Sequence, residues 1–76
     1  MDVYIAYCHD RHTDPVVRVF SQCDDACHFA RSFMRENMAH QEGIREHKPI
    51  GYELYLSYEY ESDNAFVVQR TIDEEC

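Results

Sequence analysis

The stretch QCDDACHFARSFMRENMA, residues 22–39, decides the fold of this 76-residue chain. Its apolar residues recur at spacings of three and four, which predicts an amphipathic α-helix. Ser21 stands just before it as the predicted N-cap residue, with Asp24 three positions on, close to a capping-box pattern. The predicted apolar stripe consists of Cys23, Ala26, Cys27, Ala30, Phe33, Met34 and Met38.

Two predicted β-strands precede this helix. The segments VYIAYC (residues 3–8) and VVRVF (residues 16–20) are rich in β-branched and aromatic residues, as strands usually are. The polar stretch between them ends in Asp-Pro, which favours a turn. We therefore predict a first hairpin over residues 3–20.

A second hairpin is predicted after the helix. Residues 40–49 contain Gly43 and end in Pro49, which indicates a loop. The stretch YELYLSYEYESD (residues 52–63) and the strand-like AFVVQRTI (residues 65–72) follow. The sequence thus predicts a hairpin over residues 50–72, followed by an acidic tail at residues 73–76.

The order strand, strand, helix, strand, strand predicts one α+β domain spanning residues 1–76. We expect a four-stranded, mostly antiparallel sheet with the helix packed on one face. The strand residues predicted to face the helix are Val3, Ile5, Val17, Val19, Leu54, Leu56, Phe66 and Val68. The opposite face is expected to carry Glu53, Tyr55, Ser57 and Glu59, with Tyr4 or Tyr7 beside them.

The charge distribution indicates which partners the chain favours. The formal net charge is −8, and residues 53–76 hold seven acids but only one base, Arg70. Nucleic-acid-binding domains usually show a basic patch, and the sequence has none. We therefore expect basic protein surfaces, and neither nucleic acid nor anionic membranes, as partners.

The sequence shows no recognisable membrane-spanning or secretion signal, and this bears on the expected location of the protein and the state of its cysteines. The apolar runs are too short for a membrane-spanning helix, and no basic segment followed by an apolar one opens the chain. The expected location is therefore cytoplasmic, where cysteines are mostly reduced. Four cysteines in a short chain are also compatible with a disulfide framework, which stays an alternative.

Enzyme and cofactor signatures are absent from the sequence. It contains no nucleophile elbow, phosphate-binding glycine loop or HExxH helix, so we expect no catalysis and no cofactor. A structural zinc site is the alternative, because zinc takes about four nitrogen or sulfur ligands in close pairs. Its ligands would be Cys8, His12, Cys23 and Cys27.

The acidic, tyrosine-rich stretch at residues 52–63 carries the main functional hypothesis. Residues on one side of a strand are about 6.8 Å apart, close to the spacing of phosphates along a nucleic-acid strand. Arginine binds carboxylates and phosphates through the same bidentate geometry. Tyrosine adds contact area of the kind enriched at protein interfaces.

In size, charge and this stretch, the chain resembles the small acidic inhibitors of phages, a class that includes anti-CRISPR proteins and DNA mimics. The resemblance implies stoichiometric inhibition of a host nucleic-acid-handling protein, in the host cytoplasm, by occupation of its basic binding site. A structural or regulatory homodimer that uses the open sheet face is the alternative. The predicted contact residues are Glu53, Tyr55, Glu59, Glu61, Asp63, Asp73, Glu74 and Glu75.

Overall fold

The computed structural model describes residues 1–10 and 14–72, so His12 and the acidic tail at residues 73–76 lie outside it. A single α-helix and five β-strands make up the regular structure of the described residues, together with a short 3-10 helix at Gln41–Gly43. The strands are β1 (Asp2–His9), β2 (Val16–Phe20), β3 (Ile44–His47), β4 (Leu54–Tyr58) and β5 (Asn64–Thr71), and the helix is α1 (Cys23–Asn37).

The strands form one antiparallel sheet in the order β2-β1-β5-β4-β3. The β1–β5 pair joins the two predicted hairpins, because each contributes one central strand. The α+β class is therefore confirmed, but the predicted number of four strands is wrong.

The fifth strand, β3, comes from the predicted loop at residues 40–49. Its sequence IREH is short and mostly charged, so no apolar alternation marks it as a strand. It forms because its backbone pairs with β4, with Ile44 opposite Tyr58. A tight turn leads into β4: the Tyr52 N–H donates to the Pro49 carbonyl at 3.0 Å, and Gly51 has a φ of 91° that suits glycine.

The helix follows the predicted apolar stripe. Ala26, Cys27, Ala30 and Met34 are buried on one side, and Asp24 and Asp25 stand in the first turn, where the helix dipole favours negative charge. The predicted N-cap at Ser21 is wrong: Gln22 occupies that position and makes no capping hydrogen bond through its side chain. Within residues 1–10 and 14–72, no helix is both long and apolar enough to span a membrane.

In β1, β2 and β5, the residues that face the helix are not the predicted ones but those that alternate with them. Ala6 and Cys8 of β1 and Ala65 and Val67 of β5 pack beneath α1. Alanine at these positions lets the helix approach the central strands closely. Of the predicted helix-facing set, Leu54 and Leu56 are correct, whereas Val3, Ile5, Val17, Val19, Phe66 and Val68 lie on the other face.

The error has a physical cause. The strands VYIAYC and AFVVQ are apolar at consecutive positions, so a period of two does not say which side the helix covers. The sheet thus has an apolar face beneath the helix and a second, largely apolar face with no described element over it.

Candidate functional site

A line of five side chains crosses the face of the sheet that α1 does not cover. The strand registers place Val17 opposite Tyr7, Tyr7 opposite Phe66, Phe66 opposite Tyr55, and Tyr55 opposite His47. Each of the five strands thus contributes one residue. We call these five side chains the aromatic row.

The three central rings of the aromatic row stack on one another. The Phe66 ring lies 4.9 Å from that of Tyr7 and 5.9 Å from that of Tyr55, with interplanar angles of 22° and 8°. Tyr52, just before β4, meets Phe66 edge-on at 5.4 Å and Tyr55 at 5.6 Å. Such pairs contribute about 0.5–1.5 kcal/mol each beyond their buried area, so the rings form a preorganised surface.

Aliphatic side chains extend the apolar area beside the aromatic row. Val19, Ile5 and Val68 are paired across β2, β1 and β5, although Val68 itself is buried, with 4% of its surface exposed. At the β2 edge, Val17 and Val19 expose 52% and 60% of their surfaces, and Tyr7 is 36% exposed. This face could bind a flat apolar surface, since interface cores are rich in aromatic residues and poor in charge.

The rim of this face is polar and close to neutral. The next cross-strand line consists of His9, Asn64, Ser57 and Arg45. Nη2 of Arg45 lies 3.1 Å from Oε2 of Glu59, and the Lys48 ammonium lies 4.0 Å from Oε2 of Glu53. Glu53 and Glu59 of the second hairpin therefore face cations of the same chain.

The predicted contact residues do not come together as one anionic surface in the described part of the chain. Tyr55 belongs to the aromatic row, while Glu53 and Glu59 lie near Lys48 and Arg45. Asp63 is buried, with 2% of its surface exposed, and Glu61 is half-buried. Asp73, Glu74 and Glu75 lie outside the described residues.

The sequence predicted Tyr55, with Tyr4 or Tyr7, on the open face. Tyr55 and Tyr7 lie there, whereas Tyr4 packs against the core on the helix side. Phe66 and Val17 were missed because they were predicted to face the helix. A usable signal was present. Strands that are apolar at consecutive positions are typical of sheets covered on both faces, and both β1 and β5 have this pattern.

The helix side of the molecule carries exposed acids instead. Asp24, Asp25 and Glu36 are exposed on α1. The Glu46 carboxylate of β3 is bound to Arg31, whose Nε lies 2.8 Å from Oε1. The hydrogen bond from Arg31 lowers the pKa of Glu46.

The thiols of Cys8 and Cys27 have the properties of buried core side chains and not those of reactive nucleophiles. Burial raises the pKa of Cys8 to about 11, and burial followed by the hydrogen bond with Cys23 raises that of Cys27 to about 11. The sulfur atoms of Cys23 and Cys27 are 3.8 Å apart. Residues 1–10 and 14–72 contain no cluster of three metal-binding side chains, so the proposed zinc ligands are not assembled there.

No protein-family model matches the chain, and no curated protein or solved structure matches it either.

Proposed function

We propose that this protein is a non-enzymatic binding protein that works as a homodimer, in a structural or regulatory role, and that two copies pack through the aromatic row and its aliphatic neighbours. The observation that carries the proposal is the apolar character of the uncovered sheet face. Antiparallel sheets that face water alternate apolar and polar residues, whereas β1 and β5 place Tyr7, Phe66, Ile5 and Val68 on this side.

Electrostatics favours a second copy as the occupant of this face. A chain with a net charge of −8 repels itself wherever acids meet. On the sheet face, Glu59 and Glu53 lie beside Arg45 and Lys48, so this surface can approach its own copy without an excess of like charge.

The layer order of such a dimer also limits repulsion. Two sheets pack about 10 Å apart, with the helices on the outside. The acidic helices are then at least about 20 Å apart, since each helix adds about half its own diameter of about 10 Å. That distance exceeds the Debye length of about 8 Å at physiological ionic strength, so repulsion between them is largely screened.

Sedimentation of the isolated chain tests the homodimer. We expect a dimer at about 100 µM for the original chain, and a monomer for Tyr7→Lys, which places a charge at the centre of the interface. Ile50→Lys is the matched control, because Ile50 is fully exposed, outside the aromatic row, and gains the same charge. A monomeric original chain, or a Tyr7→Lys variant that still dimerises, would contradict the proposal.

A second candidate function is the inhibition of a basic nucleic-acid-binding protein. The observation that favours it is the group of exposed carboxylates on α1, Asp24, Asp25 and Glu36, for which no cation lies within salt-bridge distance among the described residues. Long-range attraction by these acids would speed association with a cationic surface. In this form of the hypothesis the contact surface lies on the helix rather than on the second hairpin.

Two charge variants separate the two locations. The double variants Asp25→Asn/Glu36→Gln and Glu53→Lys/Glu59→Lys would each be immobilised and exposed to host lysate at low and raised salt. We expect the helix variant to lose a salt-sensitive partner that the hairpin variant retains. The candidate also requires that the captured protein lose its nucleic-acid binding when the original chain is added. Retained nucleic-acid binding, or equal capture by the helix variant, would reject it.

A further inference from the structure

The outer edge of β2 is free to pair with another strand. In the described chain, β2 pairs with β1 alone and ends the sheet on that side. An edge strand presents backbone N–H and C=O groups that another extended segment can bind. The exposed Val17 and Val19 leave one face of this edge apolar, and Arg18, the one charged residue of β2, lies on the helix side over the Phe29 ring.

A groove of about 500 Å³ lies along one side of the helix and reaches β2 at its last residue, Phe20. The rings of Phe20 and Phe29 meet in it with centroids 5.6 Å apart. The guanidinium of Arg18 lies 5.2 Å from the Phe29 ring centroid and 5.9 Å from that of Phe20, so these rings already accept a cation. The lining residues are Phe20, Asp25, His28, Phe29, Ser32, Phe33 and Glu36.

The groove has a carboxylate towards each end of the helix and aromatic rings between them. Asp25 and Glu36 carry its carboxylates, and Phe29 and Phe33 lie between them in sequence. Asp25 and Glu36 are eleven residues apart, which is about 16 Å of helix, and the first and fifth residues of a strand are about 14 Å apart, a difference that long basic side chains span. A strand that pairs with β2 would point alternate side chains to the same side of the sheet as Phe20, and so towards the groove.

We propose that the β2 edge and this groove bind an extended peptide segment of a partner protein, with basic, apolar and basic residues at alternate positions. The backbone of the segment pairs with β2 as an added strand. Its two basic side chains meet Asp25 and Glu36, and the apolar one between them meets Phe29 and Phe33. This site uses the backbone edge of β2 and the helix side of the sheet, whereas the aromatic row, to which Val17 of β2 belongs, lies on the opposite face, so the site does not depend on the homodimer.

A second copy of β2 is a poorer occupant of the same edge. On the helix side, β2 presents Val16, Arg18 and Phe20, which is an apolar–basic–apolar order. That order is the inverse of what the groove accepts. Symmetric pairing centred on Arg18 would also place two arginines opposite each other, which is unfavourable in a sheet.

A peptide titration tests the proposal in the Tyr7→Lys background, so that self-association through the aromatic row cannot interfere. The probe is the peptide Ac-KVFVK-NH2, added to the ¹⁵N-labelled chain, and Ac-EVFVE-NH2 is its charge-reversed control. We expect shift changes along β2 and in the groove-lining residues of α1, slower hydrogen exchange at alternate β2 amides, and no comparable binding of the acidic peptide.

Matched variants locate the charge recognition. Neutralising the groove with Asp25→Asn/Glu36→Gln should weaken KVFVK binding roughly 3- to 10-fold, in keeping with two exposed ion pairs. Glu42→Gln/Glu53→Gln removes two acids outside the groove and should leave the affinity within about twofold. Equal binding of the two peptides, shifts confined to the aromatic row, or no KVFVK binding at about 5 mM would overturn the proposal.

Discussion

Nε of Arg31 on the helix donates a 2.8 Å hydrogen bond to Oε1 of Glu46 on the edge strand β3. Nη2 of the same arginine reaches Oε2 at 3.5 Å, so the contact is two-pronged. The pair links β3 to the helix α1, although the sequence of β3 alone predicts a loop. Both side chains are about half-exposed, which limits the strength of the pair.

The Arg31–Glu46 pair predicts an acid-dependent loss of stability. The hydrogen bond from Arg31 lowers the pKa of Glu46, so the stabilisation is present above the ordinary glutamate pKa and disappears as pH falls through the lowered one. Glu46→Gln should therefore cost less than about 1 kcal/mol at pH 7 and almost nothing at about pH 2. Urea unfolding at both pH values measures this, with Glu42→Gln as the control. An equal loss at both values would exclude an ionic origin.

Substitutions in the two sheet faces should differ strongly in cost. Leu56 is buried beneath the helix, with 2% of its surface exposed, so Leu56→Ala should reduce the free energy of unfolding by about 2–5 kcal/mol. Val19 is 60% exposed on the opposite face, and Val19→Ala should cost about 0.5 kcal/mol or less in the monomer. Denaturant titration of both variants in the Tyr7→Lys background measures this. Similar costs would mean that the face assignment is wrong.

The buried thiols predict an alkaline limit to stability. Burial raises the pKa values of Cys8 and Cys27 to about 11 from the ordinary thiol value of 9.0, so the folded state favours the neutral thiols. Their contribution should be complete below pH 9 and decline as pH rises towards 11. Unfolding experiments across this interval should show a steeper decline for the original chain than for Cys8→Ala/Cys27→Ala. The same profile in both proteins would assign the decline to other groups.

The same burial predicts slow alkylation of Cys8 and Cys27 by iodoacetamide at about pH 8, because the thiolate is the reactive form. Mass spectrometry after proteolysis identifies the labelled positions. Denaturant should release both thiols, which serves as the internal control. Rapid labelling of Cys8 in the folded chain would contradict its placement in the core.

Gly43 allows the side chain of Tyr60 to lie against the backbone. A Cβ at this position would stand 2.5 Å from a Tyr60 ring carbon, closer than any normal contact. Because Tyr60 is 59% exposed, its ring can move away, at the cost of its contacts with His40 and Tyr58. Gly43→Ala should therefore cost about 1 kcal/mol.

A double-mutant cycle checks the cause of that loss. In the Tyr60→Ala background the nearest obstructing ring is absent and a Tyr58 ring carbon 3.3 Å from the Cβ position remains, so Gly43→Ala should cost less there. Thermal unfolding of the four proteins in the cycle gives the coupling energy. Additive losses would show that the restriction at Gly43 comes from another neighbour.

The helix was predictable because its signal is local. The apolar spacing that places Ala26, Ala30 and Met34 on one side follows from the helical repeat alone, and the structure buries all three. The two hairpins were predictable for a similar reason, since each combines strand-forming segments with nearby turn residues. The strand β3 was not, because its stability comes from pairing with β4 and from the Arg31–Glu46 contact.

The candidate site also contains some residues that the sequence predicts and others that it does not. The alternation in residues 52–63 placed Tyr55 and Ser57 on the uncovered side of the sheet, where both lie. Nothing local revealed that Phe66 would stack between Tyr7 and Tyr55, because those three residues come from three strands that meet only in the folded sheet. The neutralisation of Glu59 by Arg45 likewise depends on strand pairing.

By itself, the sequence determined the α+β class, the helix with its apolar stripe, and the two hairpins, because each depends on periodicities that act within about twenty residues. Only the tertiary structure decided the face on which each strand meets the helix, since β1 and β5 are apolar on both sides. That choice depends on how closely α1 can approach, and the small side chains of Ala6 and Ala65 allow the contact. Packing of the helix on the side of Ala6 and Ala65 leaves the aromatic row on the uncovered face.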